Sequence, residues 1–466
     1  MKAIAKFIRE WISYLPKAIL ILILVIITCL IIVTASAFIP SEKMTNNIIR
    51  STELLVSEGN WNFVDPAQPT SKIDNFTDSL LLQIAWMPDD EPPAPGLGGA
   101  VKRGVYNGYY YCHGENIAAV GTLKMICDGR FDECAGEYYA RYWLGGAAFL
   151  RLLLCFISYS EIRILLGVLT IFMTVIAAVL MAFPVRKRSD GGSDTAFRMY
   201  DNLPLVFALI LAALFVNPKV WMHSMQLTIV WLIYSTFSVI YMCRGKKERD
   251  PYCFLMLGAA VSFFDFLTYP LVPLGLILLT DLWVRRKDSA LKNFALIIGH
   301  SAYWCLGYFG NWAGKWVFAS IILKRNLILE GLRDTKVRIS LHSGGLQYTL
   351  TDVYRRNFSY LSDKSIIIPF LILLALLICV AFITGRKRNY SGAVSMNGYN
   401  MLNILFVTVM YPVIWYTVLS NHSWEHDWIT YRELSILVFG LMLSAAGGIC
   451  ILLDRHILEK QIDKKG

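Results

Sequence analysis

The chain has 466 residues, of which 56% are hydrophobic and 17% charged, and its mean hydropathy is +0.50. No water-soluble fold hides that much apolar surface, so the composition excludes a soluble enzyme and points to an integral membrane protein. The formal charge of +10 indicates no nucleic-acid partner, because the basic residues sit in knots flanking apolar runs.

Lys2, Lys6, Arg9 and Lys17 lead into the first apolar run, about 18–39. Ala35-Ser36-Ala37 resembles a signal cleavage site, but a core of roughly 20 residues fits an uncleaved span better than a signal segment. Further spans are predicted at about 162–184, 203–217, 225–243, 253–269, 270–284, 291–309, 365–384, 400–420 and 430–453. Basic knots follow every second run: Arg186-Lys187-Arg188, Arg244-Gly245-Lys246-Lys247, Arg285-Arg286-Lys287, Arg386-Lys387-Arg388 and the tail from Lys460 to Lys465. The positive-inside bias puts these knots, and both termini, on the cytoplasmic side of the plasma membrane. The expectation is an all-α polytopic membrane protein, one membrane-embedded domain over 1–466, with about ten transmembrane helices.

The external side then receives one long polar loop, 40–161. Its stretch from Pro40 to Tyr142 holds 14 of the 34 acidic residues and 8 of the 44 basic ones. Asp74-Asn75-Phe76-Thr77-Asp78, ahead of the apolar run Leu80 to Trp86, predicts a short capped helix with two carboxylates four residues apart. Carboxylates at that boundary suit a general base or a divalent-metal ligand, so Asp74 and Asp78 are catalytic candidates. Helix capping is the plainer use of both. Asn75-Phe76-Thr77 is also a glycosylation sequon. Glu137, before the apolar stretch Trp143 to Ser158, is a third candidate, and Arg141 is either its structural partner or a substrate contact. Trp143 to Ser158 carries Arg151 and reads as an interfacial helix, not a span. Cys112, Cys127 and Cys134 allow one disulfide and leave one thiol, with the pairing open.

A second external loop, 310–364, carries nine basic residues against four acidic ones and breaks the positive-inside pattern. Trp312 to Leu323 is expected to be another interfacial helix, with Lys324 and Arg325 beside it as candidates for a phosphate headgroup. Asn421-His422-Ser423-Trp424-Glu425-His426-Asp427 joins the last two spans outside. His422-x-x-Glu425-His426 formally matches an inverted zinc-protease motif, but too little chain follows to supply a third ligand. His422 and His426 are kept as substrate contacts, as are Tyr431 and Arg432 at the mouth of the final span, where a guanidinium suits a lipid phosphate. Asp265 lies toward the outer end of the fifth run, and His300 is mid-span in the seventh.

This layout resembles that of the GT-C glycosyltransferases: a cytoplasmic N-terminus, one span, a large acidic first loop with two interfacial helices, then many spans. The resemblance covers the first 185 residues well and the rest loosely. It implies transfer of a sugar from a polyprenyl-phosphate donor to a cell-envelope glycan, lipid or protein acceptor, among membrane lipids. It implies that Asp74 or Asp78 acts as base or holds a divalent cation, with Glu137 as a weaker candidate, and that Arg432, Lys324 or Arg325 meets the donor phosphate. Asp74 lies about 35 residues beyond the first span, farther than in that family, and the acidic triplet Asp89-Asp90-Glu91 comes late. The competing expectations are a polysaccharide polymerase or ligase built on external Arg and His, and a transporter or flippase, which would require a polar path through the spans.

Overall fold

A computed structural model of the chain describes residues 2–86, 96–112, 118–183, 195–244, 251–387 and 398–463. The triplet Asp89-Asp90-Glu91 and the basic knots at 186–188 and 245–247 lie outside the described residues.

Helix α1 (Lys2–Ser13) leads into α2 (Leu15–Ala37), which starts on Pro16, a residue suited to a first helical turn. The segment 40–161 folds into five helices, α3 (Glu42–Glu58), α4 (Asn75–Trp86), α5 (Leu97–Tyr106), α6 (Ala119–Cys127) and α7 (Gly145–Leu153). Among them lies an antiparallel hairpin, β1 (Gly108–Cys112) with β2 (Cys134–Tyr138). The hairpin ends in the Cys112–Cys134 disulfide, which leaves the Cys127 thiol against the Thr52 hydroxyl. Next come α8 (Tyr159–Ala182), α9 (Thr195–Val216), α10 (Met225–Cys243), α11 (Pro251–Phe264), α12 (Leu271–Val284) and the 34-residue α13 (Ala290–Leu323). The second external section holds α14 (Leu327–Arg338), a small hairpin of β3 (His342–Ser343) and β4 (Leu346–Gln347), and α15 (Leu350–Phe358). The chain closes with α16 (Lys364–Lys387), α17 (Gly398–Val418), α18 (Ser420–Glu425), α19 (Asp427–Thr430) and α20 (Ser435–Asp463).

All ten predicted apolar runs fold as helices. Five stretches are long and apolar enough to cross a membrane: Leu15–Ala37, Tyr159–Ala182, Met225–Cys243, Gly398–Val418 and Asp427–Ile449. A sixth arises if Leu350–Ser362 and Ile366–Cys379, bent by 61°, form one span. The apolar segments of α9, α11 and α12 are shorter. The outward faces of α2, α8 and α16 carry exposed Ile, Leu and Val, as a lipid-facing surface does, whereas α10 and α12 are buried along most of their length. Helices α11 and α13 approach closely through Gly258 and Gly307, where an added Cβ would strike the facing backbone, the small-residue contact used between membrane helices.

One expectation is corrected. Trp312 to Leu323 is not a separate interfacial helix but the outer end of α13, whose apolar pattern runs on without a break. The stretch Trp143 to Ser158 does contain a helix, α7, but Arg151 does not reach water: it donates to the carbonyls of Ile39 and Ala85 and staples the ends of α2 and α4. Within the knot at 285–287, Arg285 is paired with Asp281, so that charge serves the bundle instead of lipid.

Candidate functional site

The sequence candidates divide into two neighbourhoods. The first is closed. Asp74 caps α4, its Oδ1 accepting from Thr77 N at 3.1 Å. Asp78, one turn later, is fully buried and sits at the N-terminus of α10. Its Oδ2 accepts from the Ser224 hydroxyl (2.8 Å) and Met225 N (3.1 Å), and Oδ1 from Gln226 N (3.0 Å). A carboxylate on the first backbone amides of a helix satisfies orphan donors and meets the positive end of the helix dipole. Burial and the neighbouring Asp74 push the Asp78 carboxyl up to about 7, against the pull of Tyr159, Ser224 and Gln226. Asp74 is raised as well, chiefly by burial, with Thr77, Arg432 and Lys72 opposing.

Arg432 is also fully buried. It donates to the carbonyls of Val216, Trp428 and Thr70, with its guanidinium 4.7 Å from the Tyr431 ring. Tyr431 donates to Thr70 O and stacks on Tyr360. Arg432 and Tyr431 therefore bind the first external loop to the last span. Asn75, the sequon residue, is buried and donates to Glu58 and Gly59, so its amide is not presented for glycosylation.

The second neighbourhood is open to solvent. Tyr109 on β1 pairs across the ladder with Glu137 on β2, so both project from one face of the hairpin, together with Tyr139. Tyr109 and Tyr139 stack at 5.1 Å. Tyr139 and Tyr142 both contact Phe266, and Tyr142 also contacts Trp312 of α13. Arg141 does not pair with Glu137. It forms an ion pair with Asp334 of α14, and both Trp312 and Trp316 donate to its carbonyl. Glu137 remains exposed.

Arg338, one helical turn beyond Asp334, donates to His422 Nδ1 at 3.1 Å, while His422 Nε2 donates to Leu267 O at 2.6 Å. Those two bonds fix His422 as a neutral imidazole with its proton on Nε2. Burial holds His422 well below the usual histidine range, and burial with Arg338 lowers His426 to about 4. The two rings lie 4.8 Å apart. Leu267 adopts a left-handed conformation (φ 62°), unfavourable for an L-residue by about 1–2 kcal/mol. Asp265 braces that bend by accepting from Thr268 N, so it shapes the turn that presents Phe266 and Leu267.

Lys324 and Arg325 lie at the rim, exposed. Arg325 donates to the Tyr138 hydroxyl, which in turn donates to Glu330. Among the described residues no group of three or more His, Cys, Asp or Glu side chains is placed to hold a metal. The site's main cation, Arg338, was not singled out in the sequence. Its only signal there is membership of a basic external loop that breaks the positive-inside pattern. Lys72 was missed too: its ammonium lies 4.7 Å from the Trp428 ring, near Asp74 and Asp427.

Comparison of the chain with protein-family models, curated proteins and solved structures returns no match. The site is therefore read on its own geometry.

Proposed function

We propose that this protein transfers a sugar from a polyprenyl-phosphate donor to a cell-envelope acceptor, in a chain that crosses the membrane about ten times with both termini inside. The observation that carries the reading is the convergence of Arg141, Arg338 and Glu137 on Tyr139, which stacks on Tyr109. These come from the first and second external sections, at the outer ends of apolar helices. Among the described residues, Arg338 spends one donor on His422 and no partner takes the others. A planar guanidinium with free donors suits a phosphate oxygen pair.

In the reaction the bond from the anomeric carbon to the phosphate oxygen breaks, and a bond from that carbon to the acceptor oxygen forms. The electron pair leaves with polyprenyl phosphate, whose charge Arg338 meets, with Arg141 behind it. The acceptor proton passes to Glu137, the exposed carboxylate on the hairpin face. The tyrosine faces lie against the sugar ring. Neutral His422 orients Arg338 without adding a competing positive charge.

The test is release of polyprenyl phosphate, a product common to every sugar, from a panel of polyprenyl-phosphate sugars. Purified protein in proteoliposomes is supplied with an envelope acceptor fraction. Glu137→Gln should lower release by about 100-fold or more while leaving the melting temperature unchanged. Release at the wild-type rate by Glu137→Gln contradicts the assigned base, and no release by the wild type with any donor contradicts the reaction.

A further inference from the structure

Helix α14 has two faces, and among the described residues only one of them has a partner. Leu327, Gly331, Asp334 and Arg338 follow one another at spacings of four, three and four, so they form a single stripe. That stripe faces the protein: Leu327 is fully buried, Gly331 abuts the Trp316 ring, Asp334 binds Arg141 and Arg338 binds His422. The opposite arc presents Ile328, Leu329, Leu332 and the capping residue Ile339, with Leu332 55% exposed. Arg333 borders that arc and Lys336 lies within it, toward the end of the helix, both exposed.

The apolar arc follows exposed apolar residues at the end of α13. Val317 and Ile321 point outward from the end of α13, and α14 folds back from there through Lys324, whose left-handed conformation (φ 54°) makes the reversal. Charge favours one occupant. Residues 324–338 include Lys324, Arg325, Arg333, Lys336 and Arg338 against Glu330 and Asp334. An external segment with that excess runs against the positive-inside bias and has to be matched by negative charge outside. Anionic headgroups beside an acyl boundary meet both halves of the surface, because Lys and Arg stems lie along the apolar layer and send their charge to the phosphates.

We infer that α14 rests in the outer leaflet, with Ile328, Leu329 and Leu332 in the acyl boundary and Arg333 and Lys336 on anionic lipid phosphates. The inner stripe then holds Asp334 and Arg338 against the site, so the leaflet surface sets the position of one wall. This assignment concerns the resting helix and stands apart from the reaction proposed above.

The experiment places the photo-crosslinking residue p-benzoylphenylalanine at position 332 in the full chain, with position 102 of the first external loop as the control. The protein is reconstituted in phosphatidylcholine vesicles with or without phosphatidylglycerol, and adducts are identified by mass spectrometry. Position 332 should yield phospholipid adducts, enriched several-fold for phosphatidylglycerol over its share of the bilayer, and position 102 should yield few. Replacing Arg333 and Lys336 together by Glu should reduce that enrichment about fivefold or more, to the lipid's share of the bilayer or below. Adducts chiefly with a second copy of the chain, or lipid adducts no more abundant than at position 102, overturn the inference. Enrichment that survives the double charge reversal overturns its electrostatic half. Both positions are exposed, so the substitutions leave packed side chains in place, and an unchanged melting temperature verifies this.

Discussion

Asp78 and Glu137 are both acidic residues of the segment 40–161, yet their surroundings are opposite: Asp78 is buried at the start of α10 and Glu137 is exposed on the hairpin. Asp78 has three donors on its carboxylate at the start of α10, so Asp78→Asn replaces an acceptor oxygen by an amide that cannot take the Met225 and Ser224 bonds. The expected loss is about 1–3 kcal/mol of stability, read by thermal or denaturant unfolding, with residual turnover per folded molecule little changed. Arg338→Ala has the reverse signature: near-wild-type stability and donor turnover down by about 100-fold. Arg338→Lys restores little, since an ammonium does not reproduce the fork. Sequence alone could not separate these cases. The Asp74–Asp78 spacing marks a capped helix correctly, but whether a carboxylate meets water or a helix end some 147 residues away is a matter of tertiary contact. Arg432 shows the same limit: an arginine at a span mouth suits a phosphate, and here carbonyls take its donors.

Acid sensitivity follows from the histidines. His426 in the folded chain titrates at about 4, whereas an unfolded histidine titrates near 6.5. Between those values the unfolded state binds a proton that the native state refuses. The stability is fully present above about pH 6.5 and falls as pH drops toward 4, by up to about 1.4 kcal/mol per pH unit for one such group. His426→Asn should flatten this part of the melting-temperature profile, and an unaltered profile would assign the acid loss to other groups.

At the scale of elements, the hairpin and α14 build the open site between them. The pairing of Cys112 with Cys134 joins the strands at the end of the ladder, with Tyr109, Glu137 and Tyr139 farther along it. Replacing both cysteines by Ser should cost about 3 kcal/mol or less of stability through the freed loop. It should also raise the KM for donor, because the tyrosine face is less firmly held. A KM unchanged in a folded double variant would show that the strand pairing alone holds the face. Neither element was legible. The hairpin was overlooked because Gly108 to Cys112 lies between helices and lacks the alternation that marks a half-buried strand. α14 escaped because its exposed face is as apolar as the stripe it buries, so no single moment stands out. By contrast, the apolar runs were legible throughout, since length and composition alone carry that signal.

For the whole molecule, the apolar helices carry few ionisable groups, and those that are buried have partners such as the Asp281–Arg285 ion pair and the Glu433 bond to Leu271 N. His300 stacks on Phe254 and meets the Trp11 ring edge-on in the aromatic packing. Under the proposed reading, the positive-inside pattern and the acidic segment 40–142 put the chemistry on the outer side. That vectorial arrangement is what a lipid-linked donor at the outer surface requires. It is most directly tested by photolabelling intact proteoliposomes with a polyprenyl-phosphate sugar whose diazirine sits on the sugar. Labelled peptides should map to Tyr139–Tyr142, to Arg338 and to His422–His426, which surround the proposed donor position, and Arg338→Ala should abolish them. Labelling confined to the middle of the apolar helices, or unaffected by Arg338→Ala, would contradict sugar transfer at this site.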